Sequence, residues 1–500
     1  MNDNFVIAPV LIHLFSALLM LVFWRRTVTH RVISIAAAMV GLVISFVLFR
    51  NVFYGDIMTL TAASWKAPFG IVFVADTFSA LLVLLTSVVA LAVSIFSAVG
   101  VGRARMLYGY FPIFHFLIMG LNGAFLTGDI FNLYVWFEVI IIASFVLLTL
   151  GGRKAQLEGA VKYMALNILA STFFLTGIGI LYGITGTLNM ADLAQKIPLV
   201  ANQSVVNLTA MFFLIGFGIK SAVFPLYFWL PSSYHTPPSA VAAVFGGLLT
   251  KVGLYAMFRV FTLVFTPDDF MKIVFLVIAV MTILTGALGA LIKTNIRRLF
   301  SYLIVCHIGF IVGGLGLYTH LAILGAVFYL IHDIIIKTTL FLIAGLIRQM
   351  RGTMDMNRLG GLYGNYPKLS LVIALVLFSL AGIPPLSGFW PKIYLIEASF
   401  LVNNGWMIAG IIIGSFITLY VLAKLWASIF WKEASTDAII QDSFAEMDAS
   451  RKIFFVLPIL LLAAVTLYLG FNAEMIINIS DKIATEMMDT TPYEKAVLGE

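Results

Sequence analysis

The sequence predicts an all-α, polytopic membrane protein with about 14 transmembrane helices, and three observations predict it. Its 500 residues are 62% hydrophobic and only 11% charged, with a mean hydropathy of +1.06. A soluble globular chain is nearer half apolar and a quarter charged, so that class is excluded. Windows of roughly 20 apolar residues recur along the whole chain, separated by polar or Gly/Pro punctuation. Lys and Arg, finally, alternate between abundant and scarce from one intervening loop to the next, as orientation by positive charge requires.

In order, the spans begin near Phe5, Val32, Val72, Tyr108, Ile130, Ala160, Val205, Pro238, Met271, Phe300, Leu321, Leu369, Trp406 and Ile453. The first run, "FVIAPVLIHLFSALLMLVFWRR", has no basic leader and its arginines follow the apolar stretch, so it reads as a retained span and not a cleaved signal peptide. Loops after odd-numbered spans carry 17 basic residues, among them Arg25, Arg26, Arg103, Arg105, Arg153, Arg297, Arg348 and Lys432. Those after even-numbered spans hold Arg50, Lys66, Lys196 and Lys272. Both termini, including the acidic tail beyond Glu474, are therefore expected outside. The formal charge of +7 is accounted for by this orientation and gives no reason to expect nucleic acid. The one cysteine, Cys306, excludes an internal disulfide and any multi-cysteine zinc or iron-sulfur site.

The chain is also related to itself at an offset of 166 residues. "GAVKYMALNILASTFFLTGIGILYGITGTLNMADL" from Gly159 lies over "GAVFYLIHDIIIKTTLFLIAGLIRQMRGTMDMNRL" from Gly325 without a gap, with 11 of 35 positions identical. Five spans separate the copies, an odd number, so the second is expected to run through the membrane in the opposite sense. Inverted repeats of this kind carry sites near the midplane, on helices broken by Gly or Pro. Broken helices are expected at 7/8, with "YHTPPSAVAAVFGG" opening the eighth span, and at 12, with "LAGIPPLSGFWPK". The resulting organisation is a three-span segment (1–107), two inverted five-span repeats (108–265 and 266–432), and a last span with the tail (433–500).

Five ionisable residues fall where water cannot reach by snorkelling. At 1.5 Å per helical residue, Glu138, Lys220, Lys251 and Lys337 lie about 14 to 19 Å from the inner end of their spans, and Lys392 about 16 Å from its outer end. That is close to the centre of a ~30 Å hydrocarbon core. A charge there costs at least ~2.5 kcal/mol and normally faces protein or a polar path. Lys162, Lys424 and Arg259, by contrast, lie near span ends and can snorkel. Glu138 and Lys220 come out at similar depths, as either a switchable pair or a static lock between helices. Lysine suits a relay because burial can bring it towards neutrality, whereas arginine stays charged.

Asp333, four residues before Lys337, shares its helical face, as a local pair or a relay member. His307, His332 and His115 lie inside apolar spans, able to pass protons or simply hydrogen-bonded. His235, in the Pro-rich loop, reads as a proton-uptake or gating residue, or equally as a turn residue. Nothing calls for a cofactor: phosphate loop, dinucleotide pattern and haem attachment motif are all missing from the sequence. Energy must then come from an ion gradient or a partner.

Four stretches carry a family resemblance. "FPLYFWLPSSYHTPPSAVAAVFGGLLTKVGLYAMFR", "RRLFSYLIVCHIGFI", "YLIHDIIIKTTLFLIAG" and "FSLAGIPPLSGFWPK" resemble the signatures of the antiporter-like subunits of respiratory complex I and of Mrp-type multisubunit cation/proton antiporters. The resemblance spans the fourth to thirteenth helices. It implies that Glu138 and Lys220 are an essential pair, that Lys251 continues the relay and that Lys392 ends it near an outer half-channel. It also implies other antiporter subunits as partners, protons and Na+ as cargo, and a bacterial inner membrane as location. The chain departs from the family pattern at Asp333, where a histidine is usual, with His332 shifted by one. Its length and the lack of a long lateral C-terminal helix favour the Mrp-type D subunits over a proton-pumping subunit of complex I or a membrane-bound hydrogenase.

Overall fold

The computed structural model describes residues 3–433 and 442–499. Residues 434–441, in the loop expected between the thirteenth and fourteenth spans, lie outside the described residues. Among those described, twelve helices are long and apolar enough to cross a membrane, and two shorter apolar helices occupy the positions of the fourth and twelfth expected spans.

The helices run α1 (Ala8–Val22), α2 (Thr27–Tyr54), α3 (Thr77–Gly100), α4 (Tyr110–Leu126), α5 (Ile130–Thr149), α6 (Lys154–Thr185) and α7 (Gln203–Ser221). They continue with α8 (Ser239–Leu263), α9 (Asp269–Leu291), α10 (Ile296–Leu317), α11 (His320–Arg351), α12 (Pro367–Ala381), α13 (Trp390–Leu401), α14 (Gly405–Trp431) and α15 (Ala449–Phe471). Two polar-faced helices, α16 (Ala473–Met488) and α17 (Thr491–Leu498), close the chain. α8 and α11 lie at the centre of the bundle: the apolar window of each is buried throughout, whereas α1, α2, α6, α9 and α14 have less than half of theirs buried. Helices that are apolar all round and buried by their neighbours occupy the core, and the half-covered ones form the lipid-facing wall.

Three expectations are corrected. The third span does not begin at Val72: Val72–Ala75 is a strand (β2) paired antiparallel with Met58–Thr61 (β1), and α3 starts at Thr77. Asp76 and Ser79 form a reciprocal capping box there, fixing the start several residues later than hydropathy alone suggests.

The first break is the second correction, because it lies in the seventh span and not at the opening of the eighth. α7 ends at Ser221, Ala222 turns left-handed (φ 60°), and helix resumes only at Trp229–Ser233. The amides of Ala222 and Val223 cap the last turn by bonding back to Ile219 and Gly218 carbonyls. α8 is continuous from Ser239 but carries a π-helical turn at Phe245–Leu249. Gly246 and Gly247 sit in that turn, and a Cβ on them would meet Phe341 and collide with Thr338 Oγ1 of α11. The twelfth span is broken as expected: α12 ends at Ala381 with Gly382 left-handed (φ 87°), and α13 begins at Trp390. Gly382 and Ile383 repeat the capping bonds of Ala222 and Val223.

Arg259 is the third correction, since it does not snorkel. It is buried in α8, pairs with Asp76 at the start of α3 and lies over the rings of Tyr255 and Tyr493. Two buried groups from distant parts of the chain neutralise each other, which depth alone could not reveal.

The offset of 166 residues reappears in the geometry. α6 and α11 have the same length, 32 residues, and start and stop at offset positions. Each ends on a left-handed glycine, Gly186 at φ 70° and Gly352 at φ 69°. Asp129 bridges Asn189 as Asn295 bridges Asp355, and in both places the first residue of each pair caps the following helix. The two copies differ chemically at matched positions: Asn167 corresponds to Asp333, and Ser171 to Lys337.

Candidate functional site

Lys220 occupies the last turn of α7, where the break exposes carbonyls that no following turn can satisfy. Trp229, just past the break, donates its indole N–H to the Ile219 carbonyl at 2.9 Å and so folds the chain back over this end. The Lys220 side chain is buried, its Nζ 4.7 Å from the centre of the Phe137 ring. A cavity of about 20 Å³ lies beside it, lined by Tyr163, Asn167, Trp229 and Gly253 among others. That is enough room for one water-sized molecule between polar groups.

Glu138, one residue after Phe137 on α5, does not touch Lys220. Its carboxylate accepts the Ser171 hydroxyl at 2.5 Å, and it is only half-buried. The expected direct contact pair is therefore replaced by two groups facing the same Phe137 region, each with its own neighbour. Ser171 and Asn167 were not expected in the site. The repeat alignment held a signal for them, because they stand where Lys337 and Asp333 stand in the second copy.

From Lys220 the polar row crosses to α8 at a close backbone approach. A Cβ on Gly253 would lie 2.6 Å from Ser221 Oγ, so a glycine is what allows the two helices to meet here. Two residues earlier on α8, Lys251 is fully buried, and its Nζ donates to the Gly246 carbonyl at 3.0 Å. That carbonyl belongs to the π-helical turn Phe245–Leu249, a winding often found at functional sites. The same Nζ lies 2.6 Å from Asp333 Oδ2.

Asp333 is the junction of the row. Its other oxygen, Oδ1, lies 3.2 Å from His307 Nδ1 on α10 and 3.7 Å from Lys337 Nζ. All four side chains are fully buried. Lys337 also donates to the Leu303 carbonyl at 3.1 Å. Neighbouring positions on a helix point about 100° apart, so His332 cannot join this group. It turns instead to the break between α12 and α13, where its Nδ1 lies 2.8 Å from Ser387 Oγ, and Ser387 lies 2.9 Å from Ser379 Oγ. Both residues of the "HD" dipeptide are thus used, each towards a different partner.

Lys392 stands in the first turn of α13, with its Nζ donating to the Ala381 carbonyl at the end of α12, 3.1 Å away, and lying over the Phe310 ring. Tyr329 packs edge-on between His307 and His332, with centroids 5.5 and 5.8 Å away. Lys220 precedes its helix break and Lys392 follows one, so the two lysines see opposite halves of a broken span.

Two expected residues lie apart. His115 contacts His13 across α4 and α1 (Nδ1 to Nδ1, 2.9 Å) and bonds Ser34 on α2 through Nε2, in a cluster of its own. His235 donates from Nδ1 to the Pro231 carbonyl four residues back, which closes the loop as a turn residue does. Burial, helped by the charge of Arg298, lowers its pKa to about 4. The neutral ring is thus the resting form at physiological pH. No group of three or more His, Cys, Asp or Glu side chains is arranged to hold a metal ion among the described residues.

Residues 127–418, which contain every residue of the row, match the family described as NADH:quinone oxidoreductase/Mrp antiporter, transmembrane. The chain belongs to this family. Across its whole length it is 43% identical to a protein of Alkalihalophilus pseudofirmus named as the D subunit of a Na(+)/H(+) antiporter, with both chains fully covered. It is 40% identical, again over the full length of both, to the protein of the same name from Bacillus subtilis. Among solved structures, a chain of the Mrp complex from Dietzia sp. DQ12-45-1b superposes with a TM-score of 0.91 at 29% identity, covering all of both chains. In this antiporter family member the fold places buried lysines on α7, α8, α11 and α13, with the half-buried Glu138 on α5.

Proposed function

We propose that the protein is the proton-translocating D-type subunit of a multisubunit Mrp-type Na+/H+ antiporter, seated in a bacterial cell membrane with other antiporter subunits as partners. It is an ion-transporter subunit and not an enzyme in its own right. Both termini lie outside, and residues 108–265 and 266–432 form two inverted five-helix repeats between the 1–107 segment and the 433–500 segment. The names carried by full-length relatives support the antiporter over a redox-driven pump.

One observation carries the mechanism: Asp333 sits between Lys251, Lys337 and His307 with no solvent contact. One carboxylate cannot balance two ammonium groups at such depth. The cluster therefore exists in two proton counts, and moving between them changes the field felt by its neighbours. A proton reaching Glu138 removes the negative charge that favours a charged Lys220. The proton released by Lys220 passes the Ser221–Gly253 contact to the Asp333 cluster in its lower proton count, where the neutral one of Lys251 and Lys337 takes it up and unbalances the cluster in turn. His332, Ser387 and Ser379 continue the row to Lys392, since hydroxyls and imidazole both donate and accept. His235 closes the basic-face loop near the start of the path.

The test is Na+-dependent proton exchange by the whole complex in sealed vesicles. Glu138→Ala and Lys220→Ala should each cut it severely while leaving assembly intact; undiminished exchange in both variants overturns the relay. Co-purification with iron-sulfur proteins instead of small antiporter subunits would assign the same row to a redox-driven pump.

A further inference from the structure

On the face that carries the basic loops lies a cavity of about 220 Å³, lined by none of the row's lysines or carboxylates, whose charged lining is of one sign. Arg105, Arg153 and Arg348 converge on it from the short helix Arg103–Leu107, the start of α6 and the end of α11. Gln156, Thr236 and Gln349 add polar groups, and among the described residues no Asp or Glu lines it. Among the described residues none of the three arginines forms an ion pair with a carboxylate.

Arg105 is half-buried, and Arg153 and Arg348 are exposed. Arg105 Nε donates to the Leu150 carbonyl at 3.0 Å, and its terminal N–H groups form no hydrogen bond among the described residues. It lies over Gly151, at φ 118°, where any Cβ would sit 2.7 Å from Arg105 Nη2. Burial and the charges of Arg153 and Arg348 lower the Arg105 pKa from its usual value, which places the three cations within electrostatic reach of one another. Gln156, almost fully buried, turns its Oε1 to no protein donor among the described residues. One wall is apolar, formed by Phe96 and Phe455 packed edge-to-face at 5.0 Å.

We infer that this cavity binds an anionic phosphate group, and that its physiological occupant is the phosphoglycerol headgroup of an anionic membrane lipid. Three forked guanidinium groups match phosphate oxygens, which take paired N–H donors. Basic pockets among spanning helices at the positively charged face are suited to such headgroups. The Gln156 carbonyl supplies an acceptor for a glycerol hydroxyl, and the Phe96–Phe455 wall accepts the glycerol backbone, which free phosphate would leave uncovered.

The experiment uses the full chain, purified in detergent with the subunits that accompany it and stripped of lipid. Melting temperature is followed while phosphatidylglycerol, phosphatidylcholine or inorganic phosphate is titrated. Phosphatidylglycerol should raise it saturably and phosphatidylcholine should not. In an Arg105→Gln/Arg348→Gln variant the apparent affinity should fall about tenfold or more, while Arg25→Gln/Arg26→Gln, on the same face but outside the cavity, should leave it unchanged. Equal protection by inorganic phosphate would assign the site to a soluble anion instead of a lipid. If the double variant fails to assemble, the wild-type complex in lipid nanodiscs decides: headgroup density between the three arginines supports the site, and an acidic partner segment or bare solvent there overturns it. Undiminished phosphatidylglycerol binding by the folded double variant also overturns it.

Discussion

Lys251 Nζ and Asp333 Oδ2 meet at 2.6 Å between α8 and α11, with both side chains wholly shut off from solvent. Asp333 is therefore the one residue whose loss strands two buried ammonium groups at once. Asp333→Asn should cut Na+-dependent proton exchange by about tenfold or more, and breaking the buried pair should destabilise the fold by ~3–5 kcal/mol. Asp333→Glu should recover part of the transport. A structural lock makes a different forecast: Lys251→Met/Asp333→Leu would then transport normally, and normal exchange by that double variant would remove Asp333 from the mechanism.

Glu138 and Lys220 are held apart, each near Phe137, with Ser171 bonded to the carboxylate. If they act through one another, the double Ala variant should lose no more activity than the worse single one. Ser171→Ala should slow exchange in the wild-type background and have no further effect in Glu138→Gln. Additive losses in vesicle assays would show that the two residues work independently.

Arg259 and Asp76 tie α8 to the start of α3 without touching the charge row. Removing one partner, as in Asp76→Asn, leaves a buried guanidinium unbalanced and should cost ~3–5 kcal/mol, read as a fall in melting temperature of the purified complex. Transport per assembled complex should stay close to wild type. A large transport defect in a variant of unchanged stability would mean the pair serves the ion path.

Glu486 on α16 accepts the backbone N–H and hydroxyl of Thr77 while burial and the nearby Asp76 raise its pKa. A carboxyl whose folded pKa lies above its unfolded one makes its contribution in acid, and loses it as pH rises from the unfolded value through the folded one. Glu486→Gln should therefore melt higher than wild type at pH 8, with the gap closing as the buffer is taken towards pH 4. A gap that widens in acid would reverse the assigned sign.

Gly247 faces Thr338 so closely that a methyl group collides with its hydroxyl. Gly247→Ala should destabilise by about 1–3 kcal/mol through overpacking of α8 on α11. Thr338→Ala in the same chain should restore much of that loss. Failure of the second substitution to help would place the strain elsewhere in the π-helical turn.

Much of the site was legible before any helix was placed in space. Lys220, Lys251, Lys337 and Lys392 stand out because a charge in an apolar run must be accommodated by something. Arg259 shows the limit of the same argument. Its depth near a span end was compatible with snorkelling, but Asp76 lies 183 residues away and reaches it only through the packing of α3 on α8. The break was misplaced for a related reason. "HTPPS" is strong punctuation, whereas the real interruption after Ser221 depends on an alanine turning left-handed and on Trp229 capping from beyond it. Neither is marked by composition.

The sequence by itself determined the class of protein, the order of its apolar helices, the 166-residue correspondence between α6 and α11, and which residue types carry charge at mid-depth. Hydropathy and periodicity are local properties, summed within one helix, so they survive without knowledge of neighbours. Only the tertiary structure decided which charges meet: that Asp333 joins Lys251 and His307, that His332 turns away to Ser387, and that Glu138 bonds Ser171 rather than Lys220. Those choices depend on helix rotation and crossing, where one residue of register turns a side chain by about 100° and exchanges one partner for another.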